Sequence, residues 1–391
     1  MAGTSTTRTQ STVRRPTWAW AWATGAVLVA LVAAGVELVV YGHAGWGVAL
    51  MAVAFVVAVA LWMLSRKVIE LFKGDVTELM GATASTEGSG ESALTALRLS
   101  SSQLSEEELA RLERNHAAQS AATQAWFESI EPQLRDVEIH SEDCVRLVGR
   151  VLERNPGSDR WLVYVHGFGG GWKNGLGQAR RFAEERDCNV LFVDMRAQGA
   201  SEGPVVGAGW LERRDIVMWC HWLVQRVGTD ARIVLLGSSM GAASVIMAAG
   251  EPDLPPQVRV AVSDSGYASF WGIAEQMVGS LASQGLHVPA HPLLDVIRLV
   301  FLLDEDGYDL ALACPADAIA HSQVPVMIVQ GAADTLVTPE NGPLLADAAG
   351  GAASGEGHDL LVMPGAGHCC SALADPQEYY GRILAFVDRW L

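Results

Sequence analysis

The sequence predicts an α/β protein with a mostly parallel sheet flanked by helices, preceded by two transmembrane helices. From about Val137 to the C-terminus, short apolar runs alternate with amphipathic stretches, which is typical of a parallel sheet covered by helices. Two apolar runs near the N-terminus each approach the ~20 residues that cross a hydrocarbon core as a helix. The 391 residues suit one large domain with an appendage.

The composition excludes several classes of protein. Hydrophobic residues make up 50% of the chain and charged residues 18%, which is too apolar for a disordered protein. The chain has 27 Lys and Arg against 44 Asp and Glu, giving a formal net charge of −17, so a nucleic-acid partner is not expected. The six cysteines form no dense framework and no CxxC or HExxH occurs, which favours free thiols in a reducing compartment and no structural zinc.

The first predicted structure is a transmembrane helical hairpin over residues 18–64. The run Trp18–Val40 carries one charge, Glu37, and the run Trp46–Leu64 carries none. The segment Tyr41–Gly45 between them is a plausible tight turn. A cleaved signal peptide is the main alternative, but its apolar core spans only ~7–15 residues and is not followed by a second run.

Basic residues set the expected orientation of this hairpin. They lie in the N-terminal tail, residues 1–17, and after the second run, whereas the turn has none. The positive-inside rule therefore places both ends in the cytoplasm and predicts a two-helix protein of the cell membrane with its large domain on the cytoplasmic face. The basic residues concerned are Arg8, Arg14, Arg15, Arg66, Lys67 and Lys73.

Residues 65–134 are predicted to be a linker and a connector helix. The stretch from Gly74 to Ser102 is rich in Gly, Ser, Thr and Ala, as flexible tethers are. Ser105 followed by three glutamates predicts a helix N-cap, and the helix is expected to run to about Ile130.

Residues 135–391 are predicted to form one α/β domain. In open sheets of this kind ligands bind outside the carboxyl ends of the strands, so polar residues that follow strands are the candidates for a site. Strands are predicted at Val145–Leu152, Trp161–Val165, Val190–Val193, Ile233–Leu236, Val258–Val262, Val326–Val329 and Leu360–Met363, and helices near Gln178–Arg186, Glu212–Val227, Met240–Ala249 and Gln377–Leu391.

Ser239 is the candidate nucleophile. It is the central residue of Gly237-Ser238-Ser239-Met240-Gly241, a G-x-S-x-G motif between a predicted strand and a predicted helix. Such a turn exposes the serine hydroxyl, and its glycines let other backbone segments come close. The helix N-terminus also favours negative charge nearby. The alternative is an ordinary glycine-rich turn without catalytic function.

A glycine-rich loop is the candidate oxyanion-binding segment. The predicted strand Trp161–Val165 opens into His166-Gly167-Phe168-Gly169-Gly170-Gly171. We expect the backbone N–H groups of Phe168 and Met240 to bind an oxyanion, and His166 to orient the loop rather than act as a base. A phosphate site is disfavoured because neither GxxxxGK[ST] nor GxGxxG is present.

Asp334 and His368 are the candidate acid and base. Asp334 follows the predicted strand Val326–Val329, and His368 follows the last predicted strand. The chain order Ser239, Asp334, His368 matches that of α/β-hydrolases, in which the histidine takes the serine proton and the carboxylate orients the histidine. Asp264 also follows a strand and is the alternative acid.

From about Trp126 to Leu391 the chain resembles the α/β-hydrolase superfamily, and in particular bacterial serine hydrolases with a prolyl-oligopeptidase-like or Bem46-like core. The family often has a glycine where this chain has Ala197, in a stretch that is usually structural. Cys369 and Cys370 after the base are less usual, and packing residues or a redox pair are the two interpretations. The matching segments are His166-Gly167-Phe168, Asp194–Ser201, Gly237–Gly241, the stretch around Asp334 and Gly365–His368.

A cap over the serine is predicted at about residues 267–320. This insertion contains the strongly apolar stretch Leu293–Leu303, so we expect an apolar acyl or leaving-group pocket partly lined by it. His287 and His291 could suggest a metal, but Pro289 separates them and they are interpreted as cap residues.

These observations predict a membrane-anchored serine hydrolase that cleaves an ester, thioester or amide through an acyl-enzyme. No cofactor or metal is expected. The expected partners are a small-molecule, peptide or lipid ester substrate and the bilayer through residues 18–64, and no oligomeric state is indicated. A non-catalytic membrane scaffold that keeps the fold is the main rival, and a transporter component is a third possibility.

Overall fold

The computed structural model describes residues 13, 19–73, 105–280, 290–304, 307–322, 324–350 and 357–391. Most of the predicted N-terminal tail, the tether from Gly74 to Ser102, and His287 lie outside the described residues.

The two N-terminal apolar runs are helices that pack against each other. Helix α1 covers Ala19–Val40 and helix α2 covers Ala44–Lys73, nine residues beyond the predicted end at Leu64. Trp22–Val40 and Ala44–Arg66 have the length and composition of membrane spans, and most of their large apolar side chains are exposed. The helices approach closely at two glycines, because a Cβ on Gly47 would lie 2.3 Å from the Gly35 carbonyl oxygen.

Helix α3, Glu106–Ile130, begins as the sequence predicts. Ser105 Oγ accepts from the Glu108 N–H at 3.3 Å, and Glu108 Oε2 accepts from the Ser105 N–H at 3.0 Å, which is a capping box. Its buried side chains include Leu112 and Trp126, which join the core on one face of the sheet. The C-terminal part of the connector is therefore packed onto the α/β domain.

Among the described residues, eight strands form one sheet in the order β1-β2-β4-β3-β5-β6-β7-β8. Strand β2 is antiparallel to both of its neighbours, β1 and β4, and the remaining pairs are parallel. Strand β1 was not predicted, because this edge strand is mostly exposed and has no apolar run. The strands are β1 Arg135–His140, β2 Arg146–Leu152, β3 Arg160–Val165, β4 Asn189–Val193, β5 Arg232–Ser238, β6 Val258–Asp264, β7 Val326–Gly331 and β8 Asp359–Met363.

Helices cover both faces of the sheet, so the predicted fold class is confirmed. Successive strand residues point to opposite faces of the sheet: Val163 packs in the core on one face, and Leu162 and Tyr164 pack in the core on the other. Helices α5 (Glu212–Val227), α6 (Met240–Ala249), α9 (Pro315–Ile319) and α10 (Asn341–Ala348) pack on the first face, and α3, α4 (Leu176–Glu185), α11 (Ser371–Ala374) and α12 (Pro376–Val387) pack on the second.

Between β6 and β7, two described helices precede α9 in the segment predicted to be the cap. They are α7, Phe270–Ser280, and α8, Ala290–Leu302. Their apolar side chains form a third core together with Val205 and Leu310. Helix α8 also packs against α1 and α2. The residues that α7 and α8 contribute to this core are Trp271, Leu293, Leu294, Ile297 and Phe301.

A buried arginine holds the loop after β4. Arg196 is 3% exposed, and its guanidinium donates to Asp215 at 2.7 and 2.6 Å and to Asp143 at 2.8 and 3.1 Å. Asp215 lies on α5 and Asp143 between β1 and β2, so one side chain ties three segments together. Two carboxylates satisfy most of its donors, which a buried charge requires.

We expect Arg196→Met to lower the free energy of unfolding of the full chain by about 3–5 kcal/mol, because it leaves Asp215 buried without its counter-ion. Urea unfolding in detergent, followed by tryptophan fluorescence, measures this. Arg146→Met is the control, since Arg146 pairs with Glu138 and Glu202 on the surface. Its loss should change the midpoint urea concentration of unfolding little. Equal shifts for the two variants would contradict this account.

Candidate active site

The three predicted side chains meet at the carboxyl edge of the sheet. Ser239 follows β5, Asp334 follows β7 and His368 follows β8. His368 Nε2 lies 2.8 Å from Ser239 Oγ, and His368 Nδ1 lies 2.8 Å from Asp334 Oδ2. The hydroxyl, imidazole and carboxylate thus form one continuous hydrogen-bonded row.

Ser239 occupies a strained turn. Its φ of 55° lies in the left-handed region, which is unusual for a residue with a side chain. A Cβ on Gly237 would lie 2.2 Å from the Gly241 carbonyl oxygen, and one on Gly241 would lie 2.3 Å from the His166 carbonyl oxygen. Both outer glycines of the motif are therefore required by close backbone packing, as a strand–turn–helix of this kind demands.

Asp334 is a buried carboxylate with several donors. Oδ1 accepts from the backbone N–H groups of Leu336 and Val337, both at 2.9 Å. Oδ2 accepts from Gln330 Nε2 at 3.4 Å and contacts His368. These donors compensate the cost of burying the charge and hold the carboxylate toward the imidazole. Gln330 was not predicted, because as a residue inside β7 it carries no local signal of a role.

The environment of His368 changes its pKa in opposing directions. Burial disfavours the imidazolium and lowers the pKa of His368, whereas the Cys369 sulfur and the Asp334 carboxylate raise it, and the net result is a pKa well above the ordinary value. Cys370 Sγ donates to the His368 carbonyl oxygen at 3.2 Å, and the Cys369 N–H donates to Ser265 Oγ at 3.1 Å. Neither cysteine is in a disulfide.

Asp264, the alternative acid, is engaged elsewhere. Tyr379 donates its hydroxyl proton to Asp264 Oδ2 at 2.7 Å, and Ser265 Oγ donates to Oδ1 at 3.2 Å. Burial raises the pKa of Asp264. Of the two aspartates considered, Asp334 is thus the one that hydrogen-bonds to His368. Tyr379 was not predicted, since in α12 it is indistinguishable from a core aromatic residue.

The loop predicted to bind an oxyanion lies beside Ser239. A Cβ on Gly167 would lie 3.1 Å from Ser239 Cβ, so this backbone runs directly against the serine. The Gly169 N–H donates to Gln198 Oε1 at 2.6 Å and so fixes the loop to the segment after β4. Met240 is the first residue of α6, where N–H groups have no intrahelical partner.

His166 links this loop by hydrogen bonds to the segment after β4. Its Nε2 accepts from the Met195 N–H at 3.0 Å, and its Nδ1 donates to the Gly167 carbonyl oxygen at 2.7 Å. Burial lowers the pKa of His166, which favours the neutral ring that this hydrogen-bond pattern requires.

The segment predicted to be the cap contacts the loop after β7 that carries Asp334. Gln276 of α7 donates to the Leu336 carbonyl oxygen at 3.2 Å, two residues after Asp334. His291 contacts Asp295 and Glu275 within the cap. Across the described residues, no group of three or more His, Cys, Asp or Glu side chains could hold a metal ion.

Comparison with known proteins gives one family and several similar folds. The model of the Alpha/beta hydrolase family matches residues 162–382. The esterase Pf2001 of Pyrococcus furiosus has a TM-score of 0.52 and 23% identity, covering 68% of this chain and 95% of that chain. The alpha/beta hydrolase GrgF of Penicillium sp. sh18 has a TM-score of 0.48 and 18% identity, covering 66% and 98%. Curated protein sequences gave no match.

We expect Asp334→Asn to lower the pKa of the His368 imidazole, because the adjacent negative charge that favours the imidazolium is removed. The measurement is an NMR pH titration of the full chain in detergent with labelled histidine, the His368 signal being assigned by its loss in His368→Asn. Asp264→Asn is the matched comparison and should cause the smaller change. A larger effect from Asp264→Asn would identify Asp264 as the partner of the base.

Proposed function

The chain belongs to the alpha/beta hydrolase family and is a hydrolase, and on that premise we propose that it is a membrane-anchored serine hydrolase acting through an acyl-enzyme. In this proposal residues 18–64 are the anchor and residues 135–391 carry out catalysis, with a cap at about 267–320. The bond cleaved is an ester, thioester or amide. The hydrogen-bonded row of Ser239, His368 and Asp334 is the observation that carries the proposal.

The first half-reaction acylates the enzyme. Ser239 Oγ attacks the substrate carbonyl carbon while His368 Nε2 takes the hydroxyl proton, and Asp334 stabilises the resulting imidazolium. The N–H groups of Phe168 and Met240 donate to the tetrahedral oxyanion. The intermediate then collapses, since His368 passes its proton to the leaving alcohol, thiol or amine and the acyl group stays on Ser239.

The second half-reaction releases the acid. Water attacks the acyl carbon while His368 removes its proton, and the second tetrahedral intermediate expels Ser239, which regains the proton from His368. Both half-reactions begin with a neutral imidazole. Because the pKa of His368 lies above its ordinary value, activity should rise with pH as His368 loses its proton.

Membrane attachment is supported by the two long apolar helices and by their exposed side chains. A pair of helices returns the chain to the side on which it started. The basic residues flanking both ends then favour a cytoplasmic catalytic domain.

Ser239→Ala should abolish covalent labelling by a fluorophosphonate and lower kcat/KM for p-nitrophenyl butyrate by at least about 10⁴-fold, because the attacking oxygen is lost. Ser238→Ala is the control, since the Ser238 hydroxyl is buried and accepts from Tyr164 at 3.3 Å. Labelling of the full chain in detergent, followed by mass spectrometry of the modified peptide, gives the answer. Absence of labelling in folded wild-type protein would favour the scaffold function instead.

Gly167→Ala should lower kcat/KM by about 10- to 100-fold, because its Cβ would press on Ser239 and displace the reacting groups. Gly171→Ala, in the same loop, should change the rate less than about twofold, since its Cβ would meet only Asp194 Oδ1 at 3.8 Å. Steady-state kinetics on both variants tests the position of the loop. Similar losses in the two would show that general disturbance of the loop, and not crowding at Ser239, is responsible.

A further inference from the structure

The cap and the hairpin are packed together. Arg66 Nη1, at the end of the apolar part of α2, lies 3.0 Å from Asp304 Oδ2, just after α8. The Asp304 side chain is 6% exposed, so this ion pair is partly desolvated. One turn earlier, Leu61 packs against the cap core that contains Phe301. The contact therefore combines an ion pair with apolar packing.

Arg66 locates this contact relative to the bilayer. It terminates the span Ala44–Arg66, and a basic residue at the end of a span lies at the level of the lipid headgroups. Since Asp304 pairs with Arg66, the C-terminal end of α8 lies at the same level. The cap is thus the part of the α/β domain that meets the membrane surface.

The cap exposes apolar side chains at this position. Leu303 is 76% exposed, although its neighbour Asp304 is buried against the hairpin. Leu299 and Leu302 are also exposed, as is Met277 of α7. A single exposed leucine is ordinary, but two at the end of α8 and a third directly after it, beside a predicted membrane span, form a patch suited to lipid.

Helix α7 of the cap is hydrogen-bonded to the loop that carries Asp334. Gln276 donates to the Leu336 carbonyl oxygen, and Thr338 Oγ1 donates to Gln276 Oε1 at 3.2 Å. Leu336 in turn donates its N–H to Asp334. Helix α7 is therefore hydrogen-bonded to the loop that carries Asp334, while the end of α8 is ion-paired to the hairpin.

We propose that the cap lies in the headgroup region of the cytoplasmic leaflet and that the substrate is a membrane-dissolved amphiphile, an ester of a long acyl chain that reaches Ser239 past the cap. This inference rests on the proposed function. The exposed leucines of α8 contact the acyl chains of the leaflet. The scissile ester of such a lipid lies at headgroup depth, which is the depth of the cap.

The test compares two substrates with the full chain reconstituted in phosphatidylcholine vesicles. Leu303→Glu should lower hydrolysis of a long-chain acyl ester dissolved in the vesicles at least about tenfold, the effect of losing one buried leucine contact, and leave p-nitrophenyl acetate hydrolysis within about twofold. Val362→Glu is the matched control, an aliphatic residue of β8 that is 43% exposed, and should change neither rate. Equal effects of Leu303→Glu on both substrates, or no effect on the lipid ester, would overturn the proposal.

A second measurement does not depend on activity. A thiol fluorophore is placed at Leu303→Cys or Val362→Cys in a chain whose exposed cysteines, Cys144 and Cys369, are serine. Lipids with brominated acyl chains should quench the probe at 303 and not the one at 362. Equal quenching at the two positions would refute contact of the cap with the leaflet. Failure of the proposed function is separate, because wild-type protein would then show neither fluorophosphonate labelling nor acetate hydrolysis.

Discussion

Close approach of three backbone segments is the constraint on which the site depends. The turn at Ser239 requires glycine at Gly237 and Gly241, and the loop that starts at Gly167 must pass against the serine. The strained conformation of Ser239 is unfavourable by about 1–3 kcal/mol, and the parallel pairing of β5 with β3 and β6 holds it. The Ser239 N–H also donates to the Asp264 carbonyl oxygen at 2.8 Å, which anchors the turn to the next strand.

The surroundings of two buried aspartates give them different roles. Asp334 receives two backbone N–H groups on one oxygen and faces His368 with the other. Asp264 receives the hydroxyls of Tyr379 and Ser265, so its oxygens are engaged away from the imidazole. A carboxylate in either position is compatible with the sheet, and the neighbouring groups decide which one contacts the His368 imidazole.

The sequence was informative where the signal is local. Local sequence patterns predicted the turn at Ser239, the helix N-cap at Ser105 and the strands β2 to β8. The structure has these elements at the predicted places. Asp334 was the predicted acid, and Asp264 remained an alternative because its partner Tyr379 is 115 residues away in sequence. Arg66 and Asp304 are 238 residues apart in sequence, so no local sequence pattern predicts their contact. Strand β1 was missed because an exposed edge strand lacks apolar periodicity.

The hairpin and the α/β domain are connected twice, once through the chain after α2 and once through the cap. Covalent linkage raises the local concentration of one part of a chain near another, typically to about the millimolar range. At about 1 mM, a contact with a Kd of about 0.1 mM is formed about 90% of the time, so the interface around Arg66 needs little intrinsic affinity. In the membrane-anchored enzyme that we propose, the cap can therefore detach and return many times while the hairpin stays in the bilayer, so a weak contact is compatible with long residence at the membrane.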